Sequence, residues 1–446
     1  LTPKEMLEGF SNKGMITVAL LFLVSEGIRQ SGTLGQVIKK LLPQGKTTVF
    51  KAQLRILPSV AFISAFLNNT PVVVIFAPII KHWAKSVKLP ATKFLIPLSY
   101  VTILGGICTL IGTSTNLVVH GMILEAGYEG FTMFELGKVG IFIAIAGIIY
   151  LFIFSKRLLP DARPDPAVPD EEVGEGEKLH RVEAVLGARF PGINKKLSDF
   201  NFQRHYGAEV KEIKTRNGQR YVDHLEDVVL REGDTLVVMA DDTFIPTWGE
   251  SSVFVLLTNG NDPDTSGKKK RWLALILLVL MIVGATVGEL PATKEMFPDI
   301  KLDMFFFVCI TTIIMAWTNI FPARKYTKYI SWDILITIAC AFAISKAMVN
   351  SGVADCVAGF IIGLSDDYGP HVLLAILFVI TNLFTELITN NAAAALAFPL
   401  ALSISAQLGV SPTPFFVVIC MAASASFSTP IGYQTNLIVQ GIGNYK

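Results

Sequence analysis

The sequence predicts an α-helical polytopic membrane protein of two inverted repeats, with re-entrant hairpins, broken helices and a small α+β domain inserted between the repeats. Three observations predict it. Of 446 residues, 52% are hydrophobic and only 17% charged, against about a quarter charged in soluble proteins. The charge is unevenly placed: residues 156–271 hold 39 of the 74 charged residues, and the other 330 positions hold 35. One motif also recurs, as TLIGTSTNLVVHG at 109–121 and TPIGYQTNLIVQG at 429–441, with eight of thirteen positions identical. These features exclude a large soluble enzyme, a disordered chain and a secreted disulfide scaffold. The five cysteines lie in apolar runs without a CxxC pair, and read as small buried hydrophobes. A net charge of +2 gives no reason to expect a nucleic-acid partner.

A bilayer core takes roughly 20 apolar residues as helix. Spans are expected at 14–29, 94–123, 137–155, 272–289, 302–321, 333–362 and 414–442. Two further apolar runs, 52–80 and 371–402, are broken by Asn68-Asn69-Thr70-Pro71 and by Thr389-Asn390-Asn391. Irregular backbone at membrane depth is tolerated only where protein or a water-filled cavity satisfies it, so these runs are expected to be hairpins. Basic residues flank the first on both sides (Lys39, Lys40, Lys46, Lys51 and Arg55; Lys81, Lys85, Lys88 and Lys93), whereas Asp366 and Asp367 precede the second. By the positive-inside rule the first enters from the cytoplasm and the second from outside. The same rule places the charged insert in the cytoplasm of a plasma or inner membrane.

The offset of 320 that aligns the two motifs also pairs Ser31-Gly32 with Ser351-Gly352, and an offset of 321 pairs Asn69 with Asn390 and Pro78 with Pro399. The halves, 1–159 and 272–446, therefore read as homologous repeats of opposite orientation. That is the architecture of secondary transporters, with the binding site at the breaks near the midplane. Repeat symmetry further predicts about two more helices before Leu1 and about one after Lys446.

Four polar clusters lie inside apolar segments, at 68–70, 112–116, 389–391 and 432–436, and none contains arginine. Asn and Thr oxygens, with carbonyls freed by a broken helix, suit a hard cation such as Na⁺. Freed N–H groups at half-helix N-termini suit an oxyanion. Such groups also serve as plain helix–helix glue. Their occurrence as two symmetric pairs favours a transport site. Glu386, near the second tip, could tune a cation site, carry protons or act structurally. Glu26 and Lys346 fall at equivalent positions and are candidates for a scaffold or interface salt bridge; His82, His120 and His371 are expected at the interface. No transition-metal spacing, Walker A, GxSxG or nucleophile–base pair points to an enzyme. A channel or sensor is disfavoured by the two hairpins.

In the insert, Pro- and acid-rich 160–177 reads as a linker, as does 261–271. Residues 178–260 read as a small α+β domain. A strand is expected at 182–187, a short helix at 193–206, a hairpin around Asn217-Gly218 in 208–222, a buried strand at 234–240 and an edge strand at 251–257.

The paired motifs FLNNTPVVVIFAP and ITNNAAAALAFP, with LIGTSTNLVV and STPIGYQTNLIV, resemble the divalent-anion/sodium symporter family of the ion-transporter superfamily. The insert, with GINKKLSDFNFQRHYGAEVKEI and LREGDTLVVMAD, resembles a TrkA-C-type regulatory domain, and members with such inserts are described as sulfate permeases. The resemblance implies an elevator-type homodimer. It implies one co-transported Na⁺ held by Ser64, Asn68, Asn69 and the Gly112 loop, and a second held by Thr385, Thr389, Asn390 and the loop before Gly432. It implies a small inorganic anion touching Asn69, Thr70, Asn390 and Asn391, with Thr113, Ser114, Tyr433 and Gln434 nearby. The family's Ser-Asn-Thr tip signature is altered here: Asn68 and Thr389 replace Ser, and Asn391 replaces Thr. A C4-dicarboxylate therefore stays open as substrate, as does Na⁺/H⁺ exchange through Glu386. A nucleotide on the insert is a further possibility drawn from the resemblance.

Overall fold

The computed structural model describes residues 1–161, 180–187, 189–216, 219–241, 244–248, 253–258, 268–297, 300–363, 369–430, 432–443 and 445. The linkers, the Asn217-Gly218 turn and Asp366-Asp367 fall wholly or largely outside them.

The chain opens with α1 (Pro3–Leu7) and α2 (Lys13–Gln30). Asn12 caps α2, its side chain accepting from the N–H groups of Gly14 and Met15, which satisfies donors that a helix start leaves open. Gly32, at φ 70°, turns the chain into α3 (Thr33–Leu41), a left-handed conformation that glycine adopts without penalty. The first expected hairpin is α4 (Val49–Ser64) and α5 (Asn69–Ser86), followed by α6 (Thr92–Gly106), α7 (Ser114–Glu125) and α8 (Gly137–Leu158). The span expected at 94–123 is thus two helices, α6 and α7, parted by residues 107–113. Gly, Ser and Thr barely lower an averaged hydropathy, yet they favour caps and turns over helix interiors.

After the insert come α11 (Lys268–Gly288), α12 (Pro291–Met296), α13 (Met304–Trp317) and α14 (Tyr326–Tyr329). The span expected at 333–362 is also two helices, α15 (Trp332–Asn350) and α16 (Val353–Gly363), parted at Gly352 with φ 72°. The second hairpin is α17 (Pro370–Leu387) and α18 (Asn390–Leu408), and the expected span 414–442 splits into α19 (Thr413–Ser424) and α20 (Gln434–Gly443). One series of elements therefore occurs twice, α2–α7 and α15–α20: long helix, left-handed glycine, short helix, hairpin, broken pair.

Among the described residues, six helical segments are long and apolar enough to cross a bilayer. On α8, Phe142, Ile145, Ile149 and Ile153 are exposed whereas Gly140, Ala144 and Leu151 pack inward. Trp317 is 84% and Leu387 82% exposed, a display of apolar surface that only lipid or protein would cover. The chain is an integral membrane protein. Three side chains singled out by the sequence are placed as follows. Glu26 is satisfied on its own helix, by Arg29 at 2.6 Å and Gln30 at 2.6 Å, and Lys346 is exposed. His120 lies within α7 against Gly130, with its Nδ1 buried.

The insert forms a five-stranded antiparallel sheet of order β3-β2-β4-β1-β5. Its elements are β1 (His180–Leu186), α9 (Phe202–Tyr206), β2 (Glu209–Lys214), β3 (Arg220–Tyr221), β4 (Thr235–Ala240), α10 (Phe244–Trp248) and the edge strand β5 (Phe254–Thr258). Phe190, Phe200, Phe202, Tyr206 and Phe254 fill its core. The helix expected at 193–206 is only α9. Asn194 sits at φ 63°, which interrupts any helix there, and the Asn201 side chain caps the helix that follows. The sheet is fastened to the helices. Lys81 of α5 donates to both Glu183 oxygens of β1 at 2.9 and 2.8 Å, and Gln440 of α20 donates to the Arg216 carbonyl at 2.8 Å.

Candidate functional site

All four polar clusters lie where a helix begins: α5 at Asn69, α7 at Ser114, α18 at Asn390 and α20 at Gln434. A helix start carries unsatisfied N–H groups and about half a positive charge. The four starts are joined by side-chain bonds. Asn69 Nδ2 donates to the Tyr433 hydroxyl at 2.8 Å, and the Thr70 hydroxyl to Gln434 Oε1 at 3.4 Å, joining α5 to α20. The Ser114 and Thr115 hydroxyls both donate to Asn391 Oδ1 at 3.2 Å, joining α7 to α18. The Thr113 and Tyr433 hydroxyls, 3.4 Å apart, close the chain. Each hairpin tip thus meets the broken helix pair of the other half.

Each tip is also braced within its own half, by matching bonds. Ser64 Oγ donates to Asn69 Oδ1 at 2.8 Å, and Thr385 Oγ1 to Asn390 Oδ1 at 2.8 Å. Thr109 Oγ1 donates to the Ala65 carbonyl and accepts from the Gly112 N–H. Thr429 Oγ1 reaches the Glu386 carbonyl and accepts from the Gly432 N–H at 3.1 Å. Asn116 Nδ2 bonds the carbonyls of Gly106 and Thr109, as Asn436 Nδ2 bonds those of Ser426 and Thr429. Glycine is required at two of these positions. A Cβ on Gly112 would stand 2.4 Å from the Gly106 carbonyl oxygen, and one on Gly432 2.1 Å from Ser426 Oγ.

The structure brings together Ser64, Asn69, Thr70, Thr113, Ser114, Thr385, Asn390, Asn391, Tyr433 and Gln434 through the bonds above. Gly112 and Gly432 shape the loops. Asn68 and Thr389 stand at the helix starts and join less directly. Asn68 makes no side-chain capping bond. Thr389 is exposed, and its hydroxyl accepts from the Ala392 N–H at 3.4 Å, as a cap of α18.

Glu386, open in the sequence between a cation-tuning, proton-carrying or structural role, is a loop clamp: it accepts from the N–H groups of Ser428 and Thr429, each at 2.9 Å, and from the Thr429 hydroxyl at 2.7 Å. Sequence reasoning missed several other contributors. Ser99 donates to Asn436 Oδ1 at 2.7 Å, and Tyr100 to the Phe427 carbonyl at 2.7 Å. Ser424 and Ser426 are 1% and 0% exposed, and each has a buried hydroxyl oxygen without a partner among the described residues. Thr109 and Thr429 were visible as identical positions of the recurring motif; the serines carried no such signal.

Chemically, the site offers amide and hydroxyl oxygens beside free helix starts. It can coordinate small hard cations and donate several backbone N–H groups at once to the oxygens of an anion. The citrate transporter family model (CitMHS) matches residues 1–412 and, in a second match, 296–445. An uncharacterized transporter of Synechocystis sp. is 28% identical over all of this chain and 86% of its own length. Sodium/sulfate cotransporter 2 of Chlamydomonas reinhardtii is 30% identical over 60% of this chain and 30% of its own length. A sodium-dependent dicarboxylate transporter of Staphylococcus saprophyticus is 28% identical over 27% of this chain and 23% of its own length. The chain is a transporter rather than an enzyme, and it belongs to the CitMHS citrate transporter family of the ion-transporter superfamily.

Proposed function

We propose that this chain is a sodium-coupled symporter for sulfate or a similar small divalent anion. The observation that carries the proposal is the cluster of four helix starts bonded to one another through neutral donors. Four partial positive ends with hydroxyl and amide donors suit a compact dianion. Na⁺ then occupies the two flanking oxygen sets, Ser64, Asn68, Asn69 and the Gly112 loop, and Thr385, Thr389, Asn390 and the loop before Gly432. The anion contacts Asn69, Thr70, Thr113, Ser114, Asn390, Asn391, Tyr433 and Gln434. Coupling follows because the dianion needs the cation charge beside it: the empty and fully loaded carriers cross, and partly loaded ones do not. The twofold series α2–α7 and α15–α20 supports a repeat architecture, and the reading adds to it opposite orientation of the halves and, from the family resemblance, elevator movement within a homodimer. The sheet insert is read as a cytoplasmic TrkA-C-type regulator.

A second reading, a dicarboxylate or citrate substrate, is favoured by the family description and by the staphylococcal relative. Sulfate uptake into proteoliposomes, measured with and without an inward Na⁺ gradient, separates the two. Uptake that requires Na⁺ and is competed by thiosulfate or selenate supports the first. Failure of sulfate, with Na⁺-driven succinate or citrate uptake, replaces it by the second.

A further inference from the structure

The insert holds a cavity of about 370 Å³, within the range of small-molecule sites. Its wall includes Arg216, Arg231, His224, Tyr221 and Gln219. The buried Asp234 carboxylate organises that wall. Its two oxygens accept from the backbone N–H groups of Arg216 at 2.8 Å and Arg231 at 2.7 Å, so one side chain fixes both arginine-bearing turns. The other acid in the wall, Asp227, is engaged by Lys196 at 3.0 Å. Among the described residues, neither guanidinium forms a salt bridge. Two cationic forks, an imidazole and a phenol thus surround the space, with their acids already committed. A planar guanidinium binds oxyanions in bidentate fashion.

The cavity is also built against the helices. The Arg216 carbonyl accepts from Gln440 of α20 at 2.8 Å. On its other side, Gly233 meets Leu437 so closely that a Cβ there would lie 2.5 Å from Leu437 Cδ1. The two turns that carry the arginines therefore rest on α20, the helix that starts at Gln434 in the candidate transport site.

We propose that this cavity is a regulatory site for a phosphate-type oxyanion, free or carried by a small molecule, read out through α20. The site is separate from the transport site, and its occupancy changes how firmly the arginine turns hold Gln440 and Leu437.

The test is hydrogen–deuterium exchange on the purified full chain, with inorganic phosphate, sulfate and ADP as probes. At least one probe slows exchange in both 215–234 and α20. Protection by phosphate or sulfate identifies a free oxyanion; protection by ADP alone identifies a phosphorylated ligand. Arg216→Gln and Arg231→Gln each weaken the effect about tenfold or more, as expected for loss of one charge-assisted contact. Gln440→Ala keeps protection at 215–234 and loses it on α20. Asn390→Ala, which disables the proposed transport site, leaves both intact, so failure of either proposal is seen separately. No protection of 215–234 by any probe, or protection that survives the double arginine variant, overturns the proposal.

Discussion

Replacing Glu386 by Gln tests the link between the loop of the second half and cation binding. The carboxylate holds three donors: Oε1 takes the Ser428 N–H, and Oε2 takes the N–H and hydroxyl of Thr429. An amide has one accepting oxygen. In its best orientation Gln keeps the two Thr429 bonds as neutral ones and turns its NH₂ toward the Ser428 N–H. Bonds to charged groups contribute about 1.5–3 kcal/mol and neutral ones about 0.5–1.5. The substitution therefore loosens the loop by about 3.5–6 kcal/mol. Thr429 in turn receives the Gly432 N–H at 3.1 Å, so the loosening reaches the Gly432 backbone that leads into α20. If half of it appears as lost cation affinity, about 2 kcal/mol, sodium half-saturation rises about thirtyfold. The assay is the Na⁺ dependence of sulfate uptake in proteoliposomes, repeated across pH. An unchanged half-saturation refutes the clamp role. A lost pH dependence with unchanged sodium affinity would instead make Glu386 a proton carrier and revive exchange of Na⁺ for H⁺.

Four further outcomes are expected. Asn69→Ala and Asn390→Ala each abolish Na⁺-driven uptake while the protein still inserts; normal uptake in both would remove the site assignment. Gly106→Ala places a methyl 2.6 Å from Asn69 Oδ1 and should cut uptake at least tenfold, with little change in the melting temperature of the sheet domain. Burial raises the Glu183 carboxyl, but Lys81 and Lys214 outweigh it and hold it at about 2, down from 4.5. A depressed carboxyl stabilises above its unfolded value, so this contact contributes about 3 kcal/mol above pH 4.5 and loses it as pH falls toward 2; thermal unfolding against pH, with Glu183→Gln as reference, measures it. Deleting 178–260 should leave an inserted transporter of altered rate, and loss of insertion would make the sheet structural.

Much of this was legible from residues whose signal is local. The hairpin tips announced themselves as amides inside apolar runs. The sheet was readable because β1, β2 and β4 alternate or bury strongly over six or seven residues. What was not legible depended on partners far along the chain. The apolar windows ran through residues 107–113 and 425–433 because glycine, serine and threonine hardly change an average, although there they end helices. Residues 193–201 carry a helix-compatible pattern, but a left-handed Asn194 and the capping Asn201 decide otherwise. Glu386 had several possible roles in the sequence; its three donors lie about forty residues away and appear only in the fold.

The two halves share a scaffold but not a site. Thr109 bonds the Ala65 carbonyl where Thr429 reaches the Glu386 carbonyl, so the backbone contact repeats and the carboxylate is an addition of the second half. Gly106 in the first half corresponds to Ser426 in the second, at the same offset of 320 as the motif. Without a side chain at Gly106, Asn69 packs directly on the helix end. With Ser426, and with Ser424 two residues earlier, the second half holds two buried hydroxyl oxygens without a partner among the described residues, against one such oxygen, Asn116 Oδ1, in the broken helix pair of the first. Leaving such groups unpaired costs about 1–3 kcal/mol each, a cost that a bound cation would remove. In the proposed mechanism the larger number of unsatisfied oxygens favours the second half as the stronger sodium site. The first half, where Asn69 is tied across to Tyr433 at 2.8 Å, is then the one whose filling waits on the anion.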